Sequence, residues 1–258
     1  MRLEEKFSEL EKKGEKGLIG FVVAGDPGFE ESFETACSVI EAGVDVLEIG
    51  LPFSDPIADG PTIQAAGKRA LDAGMNTDRY FELAGRISGE YDVPLVCLTY
   101  YNLVLQYGLG RFAESCSRTG VGGIIIPDLP VEEAGPLLRE CRRSGVEFIF
   151  LVAETTTDER MSRILEEASG FVYIVALLGT TGARESLSAK LKPLVARIRR
   201  MTSLPLAVGF GISKPEHVRE VLSYGADAAI VGSAIVKLVE EGKDVSDYVK
   251  SLKKETRG

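Results

Sequence analysis

Histidine and tryptophan are scarce in this sequence of 258 residues, and the scarcity of histidine removes two classes of site. The chain has one histidine, His217, and no tryptophan. A single histidine gives too few ligands for a His-ligated metal site and no good base for a Ser-His triad. His217 follows Pro215 in a predicted first helical turn. We expect it on the surface, and we expect no metal site in this chain.

Cysteine is also sparse, and its spacing carries no signature. The residues Cys37, Cys97, Cys116 and Cys141 are widely scattered, without a C-x-x-C pair. We interpret them as small buried hydrophobic residues and not as disulfides or metal ligands. The charged N-terminus lacks an apolar signal region, and no hydrophobic run is long enough to span a bilayer. We therefore expect a reduced, cytoplasmic compartment and no membrane association.

Positive charge is in deficit, since 30 Lys and Arg face 39 Asp and Glu, for a net charge of −9. A nucleic-acid-binding protein needs a cationic face to displace counterions, so this class is disfavoured. A local phosphate site is compatible with this balance if its donors are mostly backbone N–H groups. The composition, 45% hydrophobic and 27% charged, is typical of a globular protein with a sizeable core.

Short apolar, β-branched runs recur along the chain. They are continuous and not alternating, as expected for parallel strands covered on both faces. The runs occupy residues 17–25, 45–52, 93–101, 122–128, 147–154, 171–179, 204–211 and 227–236. Amphipathic helical stretches lie between them, for example at 30–43, 132–145 and 158–170. Several helix–strand joints carry a glycine, which predicts a left-handed helix C-cap followed at once by a strand.

Eight such strand–helix units of about 32 residues fill the chain, close to the roughly 250 residues of a (β/α)8 barrel. We therefore predict an α/β fold, a single (β/α)8 TIM barrel over residues 1–258 with an extra N-terminal helix. A doubly wound open sheet is the alternative. It would need a glycine-rich dinucleotide turn after the first strand, and VVAGDPGFEE lacks the G-x-G-x-x-G pattern.

In a barrel of this type the active site lies at the C-terminal ends of the strands. Glu48 lies inside the second predicted strand, in the segment DVLEIGLPFSDPIADGPTIQ. If it points into the barrel, desolvation raises its pKa and prepares it for proton transfer. Alternatively, Glu48 faces a helix and pairs with a cation. Asp55 and Asp59 follow in the next loop, where each could also be a turn-forming residue.

The last two strands end in small turns, GFGIS at 209–213 and VGSA at 231–234. Turns at these two strands often bind phosphate on backbone N–H groups, although glycine packing against a helix is the simpler reading. The loop at 179–190 is long, small and polar, and Gly182 could add a further N–H. No lysine lies inside a predicted strand, which argues against a Schiff-base lyase. Carboxylate acid/base chemistry on a phosphorylated small molecule remains.

Several motifs carry a resemblance to a known family. They are FVVAGDP, LEIGLPFSDPIADGPTIQ, TYYN, IPDLPVEE, GFGIS and VGSA. Between residues 17 and 250 the chain resembles the tryptophan synthase α subunit family. The resemblance implies a barrel that cleaves indole-3-glycerol phosphate to indole and glyceraldehyde 3-phosphate. It also implies an α2β2 complex, in which indole passes to a pyridoxal-phosphate-dependent β subunit, and no cofactor in this chain.

The resemblance also assigns residues. The general acid/base falls on Glu48 and a second catalytic carboxylate on Asp59. The substrate-binding positions fall on Phe21, Leu98, Tyr100, Tyr173, Thr181, Gly182, Phe210, Gly211, Gly232 and Ser233. The segments that meet the β subunit include Pro52, Asp55, Asn102 and Pro130. The chain departs from the family's usual Gly-Val-Thr-Gly loop at Leu177 and Thr180, while the Thr181–Gly182 pair is kept.

Two other functions are compatible with part of the pattern. The first is an isomerase of histidine or tryptophan biosynthesis, another phosphate-handling barrel enzyme. Such enzymes usually place acids on strands one and five, whereas here the first strand ends in VVAGD with Asp26 in the loop. The second is a non-catalytic partner that activates or scaffolds another protein. Release of indole from indole-3-glycerol phosphate, measured alone and with an added β subunit, distinguishes the lyase from this non-catalytic partner.

Overall fold

The computed structural model describes residues 2–176, 190–209 and 211–257. In these residues nine strands form one parallel sheet. The strands are β1 Gly17–Val23, β2 Val46–Gly50, β3 Leu95–Leu98, β4 Val121–Ile125, β5 Glu147–Ile149, β6 Leu151–Val152, β7 Val172–Val175, β8 Leu206–Gly209 and β9 Ala228–Val231.

The sheet closes into a barrel, which confirms the predicted (β/α)8 architecture. Its strand order is β5-β4-β3-β2-β1-β9-β8-β7-β6. The two terminal strands of this order, β5 and β6, are parts of one predicted strand and are separated only by Phe150. Since β5 pairs with β4 and β6 pairs with β7, this interrupted strand joins the two edges.

The helices lie between the strands along the chain. Within the described residues they are α1 Leu3–Lys13, α2 Phe29–Glu41, α3 Pro61–Asp72, α4 Thr77–Glu90, α5 Tyr101–Tyr107, α6 Leu109–Arg118, α7 Gly135–Ser144, α8 Asp158–Glu167, α9 Leu191–Arg199, α10 Pro215–Ser223, α11 Ser233–Glu240 and α12 Ser246–Lys254. The three helical stretches predicted at 30–43, 132–145 and 158–170 correspond to α2, α7 and α8.

The joint glycines Gly43, Gly120, Gly145 and Gly225 all have positive φ, as predicted. None of the helices described is long and apolar enough to cross a membrane.

The extra N-terminal helix is also confirmed, and it closes one end of the barrel. Leu3, Phe7 and Leu10 of α1 are buried in one cluster with the residues that fill the barrel interior. The Phe7 ring lies 5.9 Å from the ring of Phe171, just before β7. Burying side chains of this size contributes about 1.5–3 kcal/mol each. The floor of the barrel is therefore packed, and a site inside it can open only at the C-terminal ends of the strands.

The cysteine interpretation is confirmed in substance. All four cysteines are free; Cys97, Cys116 and Cys141 are buried and Cys37 is partly buried. Burial raises the pKa of Cys97 and of Cys141 to about 12. These thiols are therefore protonated and packed as small hydrophobic groups.

The expected surface position of His217 is wrong. His217 does lie in the first turn of α10, but it is only 6% exposed. Its Nδ1 accepts a hydrogen bond from the backbone N–H of Ser213 at 3.3 Å. The His217 ring therefore lies against the loop that follows β8, where it accepts the hydrogen bond of a backbone N–H group. The single histidine thus stabilises a turn at the C-terminal end of the barrel.

Candidate active site

Glu48 lies at the centre of β2 and is 1% exposed. Side chains alternate along a strand, so Glu48 shares the inner face of the barrel with Val46, which belongs to the interior cluster. Its Oε2 atom has no hydrogen-bond partner among the described residues. Burial, together with the nearby charge of Asp59, raises the pKa of Glu48 to about 8. The alternative interpretation, an outward Glu48 paired with a cation, is wrong.

A cavity of about 360 Å³ opens above Glu48 at the C-terminal ends of the strands. It brings together most of the predicted site residues that the structure describes. Its lining consists of Phe21, Glu48, Asp59, Gly60, Ile63, Leu98, Tyr173, Gly211, Ile212, Ser213, Ile230, Gly232, Ser233 and Ala234. Among these described residues the only ionisable carboxylates are Glu48 and Asp59, and no Lys, Arg or His is present. The cavity therefore offers proton transfer by carboxylates and binding by backbone and apolar groups.

Asp59 lies in the loop between β2 and α3, and Tyr100 supports this loop from behind. The backbone N–H of Ala58 donates a hydrogen bond to the Tyr100 hydroxyl at 3.1 Å. The ring of Phe53 stacks on Tyr100 with the ring centroids 5.3 Å apart. Burial raises the pKa of Asp59, while its hydrogen bond with Tyr100 acts in the opposite direction and favours the ionised carboxylate. Tyr100 is 2% exposed and lies outside the described lining of the cavity.

Two aromatic rings that line the cavity, Phe21 and Tyr173, pack directly against glycines. No local sequence pattern shows that these glycines are needed to make room for the rings. A Cβ atom on Gly209 would lie 2.3 Å from the Tyr173 hydroxyl, so the ring can occupy its place only beside a glycine. A Cβ on Gly50 would lie 2.8 Å from the ring of Phe21, and one on Gly232 would lie 3.1 Å from it. Ile63, in the first turn of α3, adds a further apolar side chain. It belongs to the motif around Asp59, but only the fold shows which way it points.

The far end of the cavity is formed by the turns after β8 and β9. Gly211 has a φ of +74°, and Gly232 is the N-cap of α11, whose first residue is Ser233. The first N–H groups of a helix have no partner within the helix and attract anions. Two hydrogen bonds fix Ser213 beside these turns. The backbone N–H of Ser213 donates to the His217 ring, and the Tyr248 hydroxyl donates to the Ser213 carbonyl at 3.0 Å. This end can bind a phosphate without a cationic side chain.

Some predicted residues lie outside the cavity or outside the described part of the chain. Thr181, Gly182 and Phe210, together with Leu177 and Thr180 of the departing loop, are outside the described residues. The four residues predicted for a partner interface are placed outside the cavity lining. Asp55 and Asn102 are exposed, Pro130 is partly exposed and Pro52 is buried.

A larger cavity of about 630 Å³ lies at the opposite end of the barrel, between α1 and the loops that precede the strands. Its cations are already paired, since Asp227 accepts from Lys16 Nζ at 3.1 Å and also from Arg199. The N-terminal face of this fold normally serves stability. In the described residues no group of three His, Cys, Asp or Glu side chains could hold a metal ion. We therefore place the candidate active site at Glu48.

Comparisons with known proteins agree with this geometry. The family model described as tryptophan synthase alpha chain matches residues 7–257. Proteins of that name from Methanosarcina barkeri and Methanocaldococcus jannaschii are both 51% identical to the chain, covering 99% and 98% of it and 96% and 90% of their own lengths. A structure of the tryptophan synthase a2b2 complex from the hyperthermophile Pyrococcus furiosus, solved as the structural basis of its mutual activation, matches with a TM-score of 0.87 and 38% identity. That match covers 94% of this chain and 98% of the other.

Proposed function

The chain belongs to the tryptophan synthase alpha chain family, and we propose that Glu48 and Asp59 are the two carboxylates with which it cleaves indole-3-glycerol phosphate. The family is the lyase that releases indole from this substrate, so the isomerase alternative is set aside. The observation that carries the residue assignment is the buried Glu48 carboxyl, which lines the same cavity as Asp59 and whose Oε2 has no hydrogen-bond partner in the described part of the chain.

The raised pKa sets the starting state of the reaction. With a pKa of about 8, Glu48 is protonated at neutral pH and can act as an acid. It donates its proton to C3 of the indole ring, and the ring nitrogen then carries positive charge. Asp59, as a carboxylate, accepts the hydrogen bond of the ring N–H and stabilises that charge.

Carbon–carbon cleavage then restores the neutral acid. The ionised Glu48 accepts the proton of the glycerol hydroxyl next to C3 as the electrons of that O–H bond form the aldehyde carbonyl. The bond between this carbon and C3 breaks, and its electron pair returns to the indole ring and cancels the charge. Indole and glyceraldehyde 3-phosphate leave, and Glu48 is again protonated. Since the protonated ring accepts the electrons, the carboxylates need no imine, and none of the described lining residues is a lysine.

The turns after β8 and β9 are proposed to bind the phosphate. Gly211, Gly232 and Ser233 line the cavity, and Ser233 begins α11, whose first N–H groups have no partner within the helix. Phe21, Leu98 and Tyr173 supply apolar surface for the indole ring. Fixing both ends of the substrate holds C3 near Glu48, which converts binding energy into correct orientation.

We also propose that the chain acts in an α2β2 complex with a β subunit that carries pyridoxal phosphate, and that it holds no cofactor itself. The structure from Pyrococcus furiosus is of a tryptophan synthase a2b2 complex. Asp55, Asn102 and Pro130 are accessible to a partner, whereas Pro52 is buried and can act only through the shape of its loop. Ile57, in the same loop, is 82% exposed and adds apolar surface that a partner would cover.

The test is indole release from indole-3-glycerol phosphate by the wild type and by Glu48→Gln, each alone and with a β subunit added. We expect Glu48→Gln to be inactive while still binding the substrate. Glu154→Gln is the matched control. Glu154 follows β6 and has a buried Oε1 without a partner among the described residues, but it does not line the cavity. An active Glu48→Gln variant would remove the proton-transfer assignment. A wild type that released no indole even with its partner would support a non-catalytic role.

A further inference from the structure

Arg69 connects three parts of the active-site face that are distant in sequence. Its Nε donates to Oδ1 of Asp26 at 2.7 Å and its Nη2 donates to Oδ2 at 3.0 Å, so the two side chains form a bidentate pair. Its Nη1 donates to Oε1 of Glu240 at 2.8 Å. Asp26 follows β1, Arg69 lies in the last turn of α3, and Glu240 is the last residue of α11.

The two helices joined by Arg69 both begin at the cavity. α3 starts at Pro61, directly after Asp59 and Gly60, and α11 starts at Ser233. The helices pack against each other and against β1. A short helix moves as a rigid unit because its internal hydrogen bonds fix its length. The contacts of Arg69 join the two helices at the ends away from Asp59 and from the start of α11.

The two arms of Arg69 differ in strength. Asp26 is 3% exposed, and a buried carboxylate held by a bidentate guanidinium is a strong and directional contact. The side chain of Glu240 is 45% exposed, and such pairs contribute little to stability. The Asp26 arm therefore anchors α3 beside β1, and the weaker Glu240 arm adjusts the position of α11, which also packs against α3 and β1. A lysine cannot replace this fork, since one ammonium group does not reproduce the planar bidentate geometry.

We propose that Arg69 is a positioning residue for the cleavage, which holds α3 and α11 at the spacing that suits the length of the substrate. Asp59 then meets the indole ring while the phosphate lies at the start of α11. This inference rests on the proposed function of Asp59 and of the α11 N-terminus. It assigns no contact between Arg69 and the substrate.

The experiment compares Glu240→Ala and Arg69→Lys with the wild type in the complex with a saturating β subunit. Loss of the Glu240 arm loosens the spacing between α11 and α3 although the helices stay packed. The phosphate contact is made equally in the ground state and in the transition state, so we expect KM for indole-3-glycerol phosphate to rise about fivefold while kcat changes less than about twofold. The dissociation constant of glycerol 3-phosphate, measured by calorimetry, should rise by a similar factor. Arg69→Lys disturbs both arms, and kcat/KM should fall by on the order of tenfold or more.

Glu241→Ala is the matched control, because Glu241 is the next residue and pairs with Lys243 at 2.7 Å instead of with Arg69. Its KM and its glycerol 3-phosphate affinity should equal those of the wild type. A purely structural Arg69 would lower the melting temperature and leave the kinetics of the folded enzyme unchanged, and that result would overturn the inference. An inactive wild type would instead contradict the proposed function, so the two failures are distinguishable.

Discussion

Glu48 and Asp59 line one cavity, and the charge of Asp59 adds to burial in raising the pKa of Glu48 to about 8. The pair thus separates into two roles at neutral pH. Glu48 holds a proton that it can donate. Burial raises the pKa of Asp59 as well, but the hydrogen bond with Tyr100 opposes this rise and favours the carboxylate. Two carboxylates in different environments are a common way to obtain an acid and a charge-stabilising group from the same chemical function.

The first prediction concerns the pH dependence of the cleavage. The active form carries protonated Glu48, so kcat/KM should be nearly constant below the pKa and fall as the pH rises through about 8. Above that value the fall should approach about tenfold per pH unit, as for loss of one essential proton. Indole release measured from pH 6 to pH 10 tests this. In Asp59→Asn the residual activity should fall at a lower pH, because the repelling charge is gone. A rate that stayed level to pH 10 would contradict the assignment.

The second prediction concerns stability. An unfolded glutamate titrates near 4.5 whereas folded Glu48 titrates at about 8, so the folded state binds the proton more tightly. This contribution to stability is complete below the unfolded pKa and is lost as the pH rises through the folded pKa. Glu48→Gln carries no proton to lose. Its free energy of unfolding should match that of the wild type near pH 4 and exceed it by on the order of 4 kcal/mol above pH 8. Urea unfolding at several pH values measures the difference, and a constant difference would refute the raised pKa.

Much of the fold follows from local sequence signals. The continuous apolar runs predicted parallel strands, and the joint glycines predicted the places where helices end. Glu48 could be identified because an acid inside a buried strand conflicts with its surroundings. The interruption of the fifth predicted strand at Phe150 was not predictable, because the apolar run shows no break there. Local hydrophobicity specifies that a strand exists but does not specify where its hydrogen bonds are interrupted.

The residues that sequence reasoning missed or misplaced depend on contacts that the local sequence pattern does not show. His217 is 6% exposed, and its ring accepts from the backbone N–H of Ser213 only four positions earlier, but a helix-start pattern does not reveal this burial. Arg69 is 43 positions from Asp26 and 171 positions from Glu240 along the chain. An exposed-looking arginine in an amphipathic helix gives no hint of such partners. Three-dimensional placement was therefore needed to assign them.

The third prediction concerns Tyr100. Tyr100→Phe keeps the ring that stacks on Phe53 but removes the hydroxyl that accepts the Ala58 N–H and contacts Asp59. A hydrogen bond to a charged group is worth about 1.5–3 kcal/mol, so kcat should fall by about tenfold or more as Asp59 loses its orientation. Tyr101→Phe is the control, since Asp128 holds the backbone N–H of Tyr101 and not its ring. Equal kinetics of the two variants would show that Tyr100 serves only packing.

The last prediction uses the contact between Gly209 and Tyr173. In Gly209→Ala the new Cβ would lie 2.3 Å from the Tyr173 hydroxyl and 2.6 Å from Cζ, so the buried ring must move. Overpacking of this kind costs typically about 1–3 kcal/mol of stability. Since Tyr173 lines the cavity, its displacement should also raise KM for indole-3-glycerol phosphate.

Two further variants separate this clash from the general effect of losing a glycine. Gly89→Ala, in α4, places its Cβ where no atom lies within 4 Å, and it should stabilise the chain by up to about 1 kcal/mol through helix propensity. The double variant Gly209→Ala with Tyr173→Phe removes the closest of the clashing atoms. It should therefore be more stable than the sum of the two single changes predicts. If the stability changes of the two single variants simply add in the double variant, measured by thermal unfolding, the Tyr173 ring does not contact the new methyl group. The position of this ring in the cavity wall would then be wrong.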